Sequence, residues 1–148
     1  MINAVRLYRI ANKLYKYNIP IIPKIIKLII FLVYNSILPY ECEIGKNTSL
    51  GYGGIAVVVH KDAVIGKGCI ISQCVTIGGK QNSKGVPKIG NNVHIGAGAK
   101  ILGNISIGNN VLIGANAVVL KDIPDNSIVA GVPAKIIKVN DMSRGKYE

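Results

Sequence analysis

The chain has 148 residues, which suits one domain, and it carries a net charge of +11 with seventeen glycines and a single phenylalanine. This composition fits a narrow repetitive fold better than a globule filled by large rings. Nucleic acid is not an expected partner, because aromatic residues are few and no nucleic-acid-binding motif accompanies the charge. The number of cysteines is odd, and Cys42, Cys69 and Cys74 are predicted to be reduced thiols of a cytoplasmic protein.

Residues 1–40 form a predicted N-terminal helical segment. An amphipathic helix is predicted over residues 3–17, and a second, almost entirely apolar helix over residues 25–38. The second run is too short to predict a membrane span. We expect the two helices to pack on the end of the following fold or on a neighbouring subunit, and the alternative is peripheral contact with the inner membrane surface. The segment has no acidic residue, and its basic residues are Arg6, Arg9, Lys13, Lys16, Lys24 and Lys27.

Residues 41–139 contain a six-residue repeat. From Ile65 to Val119 an aliphatic residue returns at every sixth position, with one doubled interval between Ile77 and Ile89. The next position is usually glycine. A helix cannot place residues six apart on one face, but short strands joined by corners can. The repeat therefore predicts an all-β solenoid, a parallel β-helix of hexapeptide repeats. Residues 140–148 are predicted to be a C-terminal tail.

Three irregularities interrupt the repeat. Three extra residues fall in Gly51 to Ala56 and predict a bulged coil, and His60 occupies a position that is usually glycine. The doubled interval places a polar, glycine-rich loop after Gly78. We expect all three irregularities to fall on one edge of the solenoid and to mark the functional site.

Six stretches of the repeat carry a family resemblance. They are Ala63-Val64-Ile65-Gly66, Val75-Thr76-Ile77-Gly78-Gly79, Pro87-Lys88-Ile89-Gly90, Ile95-Gly96-Ala97-Gly98-Ala99-Lys100, Ile113-Gly114-Ala115 and Val129-Ala130-Gly131-Val132-Pro133-Ala134-Lys135. With these the chain resembles the hexapeptide-repeat acyltransferases, in their serine acetyltransferase-like branch. The resemblance implies a left-handed helix of triangular cross-section, a homotrimer, and acetyl-CoA as co-substrate in a groove between subunits, without a metal.

Two stretches depart from the serine acetyltransferase pattern. That pattern has an Asp-His pair and an Arg-His pair where this chain reads Gly51-Tyr52-Gly53 and Gly85-Val86. We therefore expect direct acetyl transfer to a hydroxyl or amine of a surface-polysaccharide sugar, as in relatives from such pathways. Serine O-acetylation is the first alternative, and a metal-dependent hydratase on the same solenoid is another. A non-catalytic scaffold or nucleotide-sugar-binding solenoid is an alternative of a different class.

Acetyl transfer from a thioester needs a base to take the acceptor proton, and neutral imidazole suits this role. We predict His60 as this base, with Asp62, Glu41 and Glu43 as the nearby acids that could orient it. Tyr52, Asp62 and His94 are predicted to contact the acceptor. The alternatives are plain packing for Tyr52, a solvated turn residue for Asp62 and a subunit interface for His94.

The predicted cofactor contacts have two origins. Gly78 and Gly79 offer backbone N–H groups to the negative charge that develops on the thioester oxygen. By resemblance, Ala97 and Ala115 face the pantetheine arm, and Lys121, Lys135 and Lys138 hold the phosphates of CoA.

Overall fold

The computed structural model describes residues 3–139. Two helices, α1 (Ala4–Lys16) and α2 (Ile22–Tyr34), precede a solenoid of short strands that form three sheets. Sheet I contains β1 (Glu43–Ile44), β4 (Val64–Ile65), β7 (Lys88–Ile89) and β10 (Ser106–Ile107). Sheet II contains β2 (Ser49–Leu50), β5 (Ile70–Ile71), β8 (His94–Ile95), β11 (Leu112–Ile113), β13 (Ser127–Gly131) and β14 (Ala134–Val139). Sheet III contains β3 (Val58–Val59), β6 (Thr76–Gly78), β9 (Lys100–Leu102) and β12 (Val118–Val119).

From β1 to β12 the chain visits sheets I, II and III in turn, so every three strands complete one coil. In the last coil the sheet I position holds a single bridge between Ile123 and Ile107, and β13 follows in sheet II. Each strand pairs in parallel with the strand one coil later, and only β13 and β14 are antiparallel among the described strands. The repeated aliphatic residues stack along the inside: Ile71, Ile95 and Ile113 are in register and are at most 1% exposed. The predicted parallel β-helix with an N-terminal helical segment is confirmed.

The three corners of the coil differ in how tightly they pack. At the corner after sheet I, a Cβ built on Gly66 would lie 2.3 Å from the Gly90 carbonyl oxygen. At the corner after sheet II, a Cβ on Gly96 would lie 2.5 Å from the Ala115 nitrogen. At the corner after sheet III, a Cβ on Gly78 would meet no atom within 4 Å. Close backbone packing thus requires glycine at Gly66 and Gly96 and does not require it at Gly78.

Helix α1 closes the N-terminal end of the solenoid. Its buried residues Ala4, Val5 and Tyr8 belong to the same core cluster as the strands. The Tyr8 hydroxyl donates to the Cys42 carbonyl, and Arg9 Nη2 donates to the Gly45 carbonyl at 3.0 Å. These bonds satisfy backbone groups of the first coil that have no preceding coil to pair with. The expected packing of the helical segment on the solenoid end is therefore observed for α1.

Helix α2 begins three residues earlier and ends four residues earlier than the sequence predicts. Pro23 lies in its first turn, where proline is tolerated because the N–H there has no helical partner, so the proline does not delay the helix. Asn35 ends the helix in the left-handed conformation with φ 52°. Over residues 3–139 no helix combines the length and the apolar character that crossing a bilayer needs. The predicted tail, residues 140–148, lies outside the described residues.

Candidate active site

His60 directly follows β3 at the open corner. Its N–H donates to the Ile77 carbonyl at 2.8 Å, and Val59 pairs with Ile77, so His60 is in register with Gly78 of the next coil. The same column continues through Leu102, which pairs with Gly78. A large side chain at this corner is therefore compatible with the packing, whereas the sequence pattern had suggested that the fold requires glycine there.

Asp62 is the acid beside His60. The Asp62 Oδ2 lies 3.7 Å from His60 Nδ1, and the Asp62 N–H donates to the same Nδ1 at 3.2 Å. Their side chains are 39% and 65% exposed, respectively. Glu43, another of the three predicted acids, lies in β1 and pairs with Val64 of sheet I. Among the acids predicted to orient His60, the structure brings Asp62 to the ring.

The space beside Gly78 is open, and the predicted loop leaves from this point. Within residues 3–139 the Gly79 N–H has no hydrogen-bond acceptor, whereas the Gly78 carbonyl accepts from the Gly103 N–H at 3.0 Å. The loop bends back over the next coil, where Gly85 approaches Asn104. Between loop and solenoid lies an open cleft of about 390 Å³. It is lined by Lys80, Gln81, Asn82, Ser83, Leu102, Gly103, Asn104, Ile105 and Leu120.

The bulged coil lies on a different edge from His60, and this corrects the expectation that the three irregularities share one edge. The turn Gly51–Gly54 follows β2 of sheet II and comes before β3 of sheet III, whereas His60 comes after β3. The strand β3 therefore carries the chain from one edge of sheet III to the other. His60 and the loop after Gly78 do share an edge, as expected.

Tyr52 stands at the tip of the bulge in a strained conformation. Its φ and ψ are 49° and 37°, a left-handed conformation that is unfavourable for a residue with a Cβ. Its side chain is 73% exposed, so core packing does not explain the strain. Strained, exposed residues of this kind occur at functional sites.

Ser36 holds the bulge in place, and the only signal for it in the sequence is a polar residue after an apolar helix. It is fully buried, accepts from the Val57 N–H at 2.9 Å and donates to the Gly54 carbonyl. The Tyr34 carbonyl accepts from the Ala56 N–H at 3.0 Å. The C-terminal end of α2 thus positions the backbone around Tyr52.

Five of the predicted cofactor residues lie at the two edges of sheet III, and the other two lie in sheet II. Lys121 follows Leu120, which lines the cleft, and therefore lies on the His60 edge with Gly78 and Gly79. Ala97 and Ala115 follow β8 and β11, which places them on the same edge as the bulge. Lys135 pairs with Ala130 and Lys138 with Ile128 in the antiparallel β13–β14 pair, and both lysines are exposed.

His94 lies apart from both edges. It occupies β8, between Ile70 and Leu112 of sheet II, and it is half-buried. The structure therefore does not bring His94 to His60 within one chain. Nor do the described residues contain a group of three His, Cys, Asp or Glu side chains that could hold a metal ion.

Comparison with known proteins identifies the repeat. Residues 87–121 match the family model described as bacterial transferase hexapeptide (six repeats). The chain is 40% identical over 137 residues to serine acetyltransferase from Synechococcus elongatus, covering 88% of this chain and 54% of that protein. It is 40% identical over 147 residues to serine acetyltransferase from Staphylococcus aureus, covering 98% of this chain and 68% of that protein.

A solved structure agrees with these relatives. The crystal structure of serine acetyltransferase from Brucella abortus in complex with coenzyme A matches with a TM-score of 0.87 and 36% identity, over 93% of this chain and 56% of that one. The chain spans 54% and 68% of the length of the two relatives named above. These matches support the serine acetyltransferase interpretation and give no support to a closer relation to polysaccharide-pathway enzymes. The chain belongs to the serine acetyltransferase family of hexapeptide-repeat transferases.

Proposed function

We propose that the chain is an acetyl-CoA-dependent O-acetyltransferase, with serine as the acceptor to be tested first. The observation that carries the proposal is the open corner: His60 beside Asp62, next to a glycine that packing does not require. Relatives named serine acetyltransferase, and one solved in complex with coenzyme A, support the donor and the acceptor.

In the proposed reaction, the acceptor hydroxyl gives its proton to His60 while its oxygen attacks the thioester carbonyl carbon. The C–S bond then breaks, and the thiolate of CoA takes the proton back from the imidazolium. No acyl-enzyme forms. Acceptor and thioester both need to reach the imidazole, and the exposure of His60 is consistent with that.

Asp62 serves as the positioning residue for His60. When Nδ1 of the neutral ring accepts the Asp62 N–H, the ring proton is on Nε2. Nε2 then cannot accept a proton from the acceptor hydroxyl. Exchange of the ring proton with solvent gives the other tautomer, with the proton on Nδ1, and a small turn of the ring then lets Nδ1–H donate to Asp62 Oδ2, which lies 3.7 Å from Nδ1. Nε2 is then free to accept the proton, and the carboxylate stabilises the imidazolium.

The Gly79 N–H supplies the donor for the developing oxyanion. It has no acceptor within residues 3–139, and it lies one residue beyond Gly78 on the His60 edge. A backbone donor held by the solenoid costs little reorganisation when charge develops. No atom lies within 4 Å of a Cβ built on the neighbouring Gly78, so the space next to this donor is open.

We also propose a homotrimer in which the two edges of sheet III on neighbouring subunits form one site. One subunit would contribute His60, Gly79 and Lys121, and the next would contribute Tyr52 and Ala97. The separation of these residues on a single chain supports this arrangement, because one chain alone does not bring them together. Lys121, Lys135 and Lys138 would hold the phosphates of CoA as flexible point charges.

A sugar hydroxyl or amine is the second candidate acceptor. The observation in its favour is Tyr52, which stands in the left-handed bulge where the serine acetyltransferase pattern has an acidic residue and a histidine. A phenol can hydrogen-bond a sugar hydroxyl and stack on its ring, but it cannot pair with the charged groups of serine as a carboxylate can.

The three unpaired cysteines are consistent with the proposed cytoplasmic location. Peripheral membrane contact through the N-terminal helices is also a proposal, and it depends on α2 and not on the His60 site.

Product analysis with acetyl-CoA tests the acceptor. We expect release of free CoA and O-acetylserine with serine, and less product with a panel of sugars and nucleotide sugars. Product from sugars alone would select the second candidate. If CoA does not bind and no acceptor is acetylated, the non-catalytic solenoid is the correct interpretation.

A further inference from the structure

The outward side of α2 is apolar over an unusually wide arc. Ile21, Ile25, Leu28 and Leu32 follow one another at helical spacing and are 66%, 51%, 55% and 70% exposed. Ile22, Ile29, Phe31 and Val33 flank them and are 42–66% exposed. Only Pro23, Ile30 and Tyr34 of α2 are buried. The core of this chain therefore uses one narrow side of the helix.

The width of this surface argues against a single helix as its cover. At 3.6 residues per turn, the arc from Phe31 to Val33 spans about 200° and includes Lys24 near its Phe31 end, whereas a coiled-coil seam is much narrower. A lipid layer, unlike a single partner helix, can contact such an arc along its whole length. The helix has 13 residues and is too short to cross a bilayer, so it would lie in the plane of the surface.

The charges around α2 indicate which kind of membrane surface would bind it. Lys24 and Lys27 line an open groove of about 350 Å³ together with the apolar Leu28, Phe31 and Ile37. Residues 1–40 contain no aspartate or glutamate. Lysines at the border of an apolar helix can extend their ammonium groups to the headgroups while their stems stay in the apolar layer. Tyr15 and Tyr17, at the end of α1, are 45% and 69% exposed, and tyrosine prefers the membrane–water interface.

We propose that α2 docks this protein on the surface of a bilayer that contains anionic phospholipids. The outward residues Ile21, Ile25, Leu28 and Leu32 enter the boundary between headgroups and acyl chains, and Lys24 and Lys27 pair with lipid phosphates. This attachment does not depend on the proposed acetyl transfer.

Co-sedimentation of the full chain with vesicles tests the proposal. We expect binding to vesicles of phosphatidylcholine with phosphatidylglycerol, and weaker binding to phosphatidylcholine alone. Ile25→Ser/Leu32→Ser should lower binding to the mixed vesicles by about tenfold or more, because two apolar side chains leave the lipid. Lys24→Gln/Lys27→Gln should remove the preference for the anionic vesicles while weak binding to both kinds remains.

A matched control is available in β14. Ile136 and Ile137 are 48% and 68% exposed, close to the values of Ile25 and Leu32. Ile136→Ser/Ile137→Ser should leave vesicle binding unchanged. Circular dichroism checks that each variant is folded.

Two outcomes would overturn the proposal. One is a wild-type chain that does not sediment with either vesicle. The other is an Ile25→Ser/Leu32→Ser variant that keeps vesicle binding. If this variant also loses self-association in sedimentation velocity, a second copy of the chain covers α2. Acetylation activity is measured in the same samples, so failure of the active-site proposal and failure of lipid docking remain distinguishable.

Discussion

His60 and Gly78 occupy the same position in consecutive coils of the solenoid, and the space next to Gly78 is empty. The His60 N–H donates to the Ile77 carbonyl at 2.8 Å, which fixes the His60 backbone one ladder step from Gly78. A Cβ built on Gly78 meets no atom within 4 Å, whereas a Cβ built on Gly66 or Gly96 would lie 2.3 or 2.5 Å from a backbone atom. Packing of the coil therefore does not require glycine at this position, and we propose that Gly78 keeps access to the imidazole open.

Gly78→Ala should separate function from folding. We expect the free energy of unfolding to change by less than about 0.5 kcal/mol, since the methyl group enters open space. The catalytic efficiency with acetyl-CoA should fall by about 10–100-fold, because the methyl group occupies the approach to His60. Urea denaturation and steady-state kinetics on one protein preparation measure both effects.

Gly66→Ala is the matched control for Gly78→Ala. Its Cβ would lie 2.3 Å from the Gly90 carbonyl oxygen, which is held in the ladder, so we expect a loss of about 1–3 kcal/mol of stability. If Gly78→Ala destabilises the protein as much as Gly66→Ala, the corner is packed and the access argument is wrong.

Tyr52→Gly should leave the fold at least as stable as wild type while weakening the binding of the acceptor. Glycine adopts φ 49° without steric cost, which relieves strain of about 1–2 kcal/mol, partly offset by the entropy that glycine loses on folding. We expect an unchanged or higher melting temperature and an increased KM for the acceptor at constant KM for acetyl-CoA. Tyr52→Phe isolates the hydroxyl. An acceptor KM equal to that of wild type in both variants would show that Tyr52 does not contact the acceptor.

Alkaline pH should destabilise the protein through Cys42. Burial raises the pKa of this thiol from 9.0 to about 12, and burial also raises the pKa of Tyr8, whose hydroxyl donates to the Cys42 carbonyl. Between these two pH values the unfolded chain releases the thiol proton and the native chain keeps it. Stability is therefore fully present below pH 9 and is lost as pH rises towards 12.

Cys42→Ala removes this titration. In urea denaturation between pH 9 and 11, we expect its stability to fall less steeply than that of wild type, by at most about 1.4 kcal/mol per pH unit. The exposed Cys74 provides the control, because Cys74→Ser leaves the buried thiol in place and should follow wild type. Identical slopes for all three proteins would show that Cys42 does not titrate as described.

The sequence predicted the solenoid well because its signal is repeated. Stacking of Ile71, Ile95 and Ile113 is a direct consequence of six-residue spacing, and no single position decides it. The bounds of α2 were less predictable, since Pro23 can end a helix or stand in its first turn, and only the cap geometry distinguishes the two cases.

The candidate site was predictable only in part. Counting repeats placed His60 beside Gly78, because both follow strands of the same sheet. The bulge was assigned to the wrong edge, since the extra residues Gly51 to Ala56 hide the fact that β3 separates Tyr52 from His60. The role of Ser36 in positioning the bulge could not be predicted, because Ser36 lies about twenty residues before its hydrogen-bond partners Gly54 and Val57 in the sequence.

The central claim is that His60 is the base for acetyl transfer, and His60→Asn tests it most directly. Asparagine is polar and of similar size, so at this half-exposed corner the variant should fold and bind CoA like wild type. We predict that kcat for CoA release in the presence of serine falls by about 10²–10⁴-fold, with the KM for acetyl-CoA little changed. A folded His60→Asn variant that keeps wild-type kcat with the same acceptor would contradict the account.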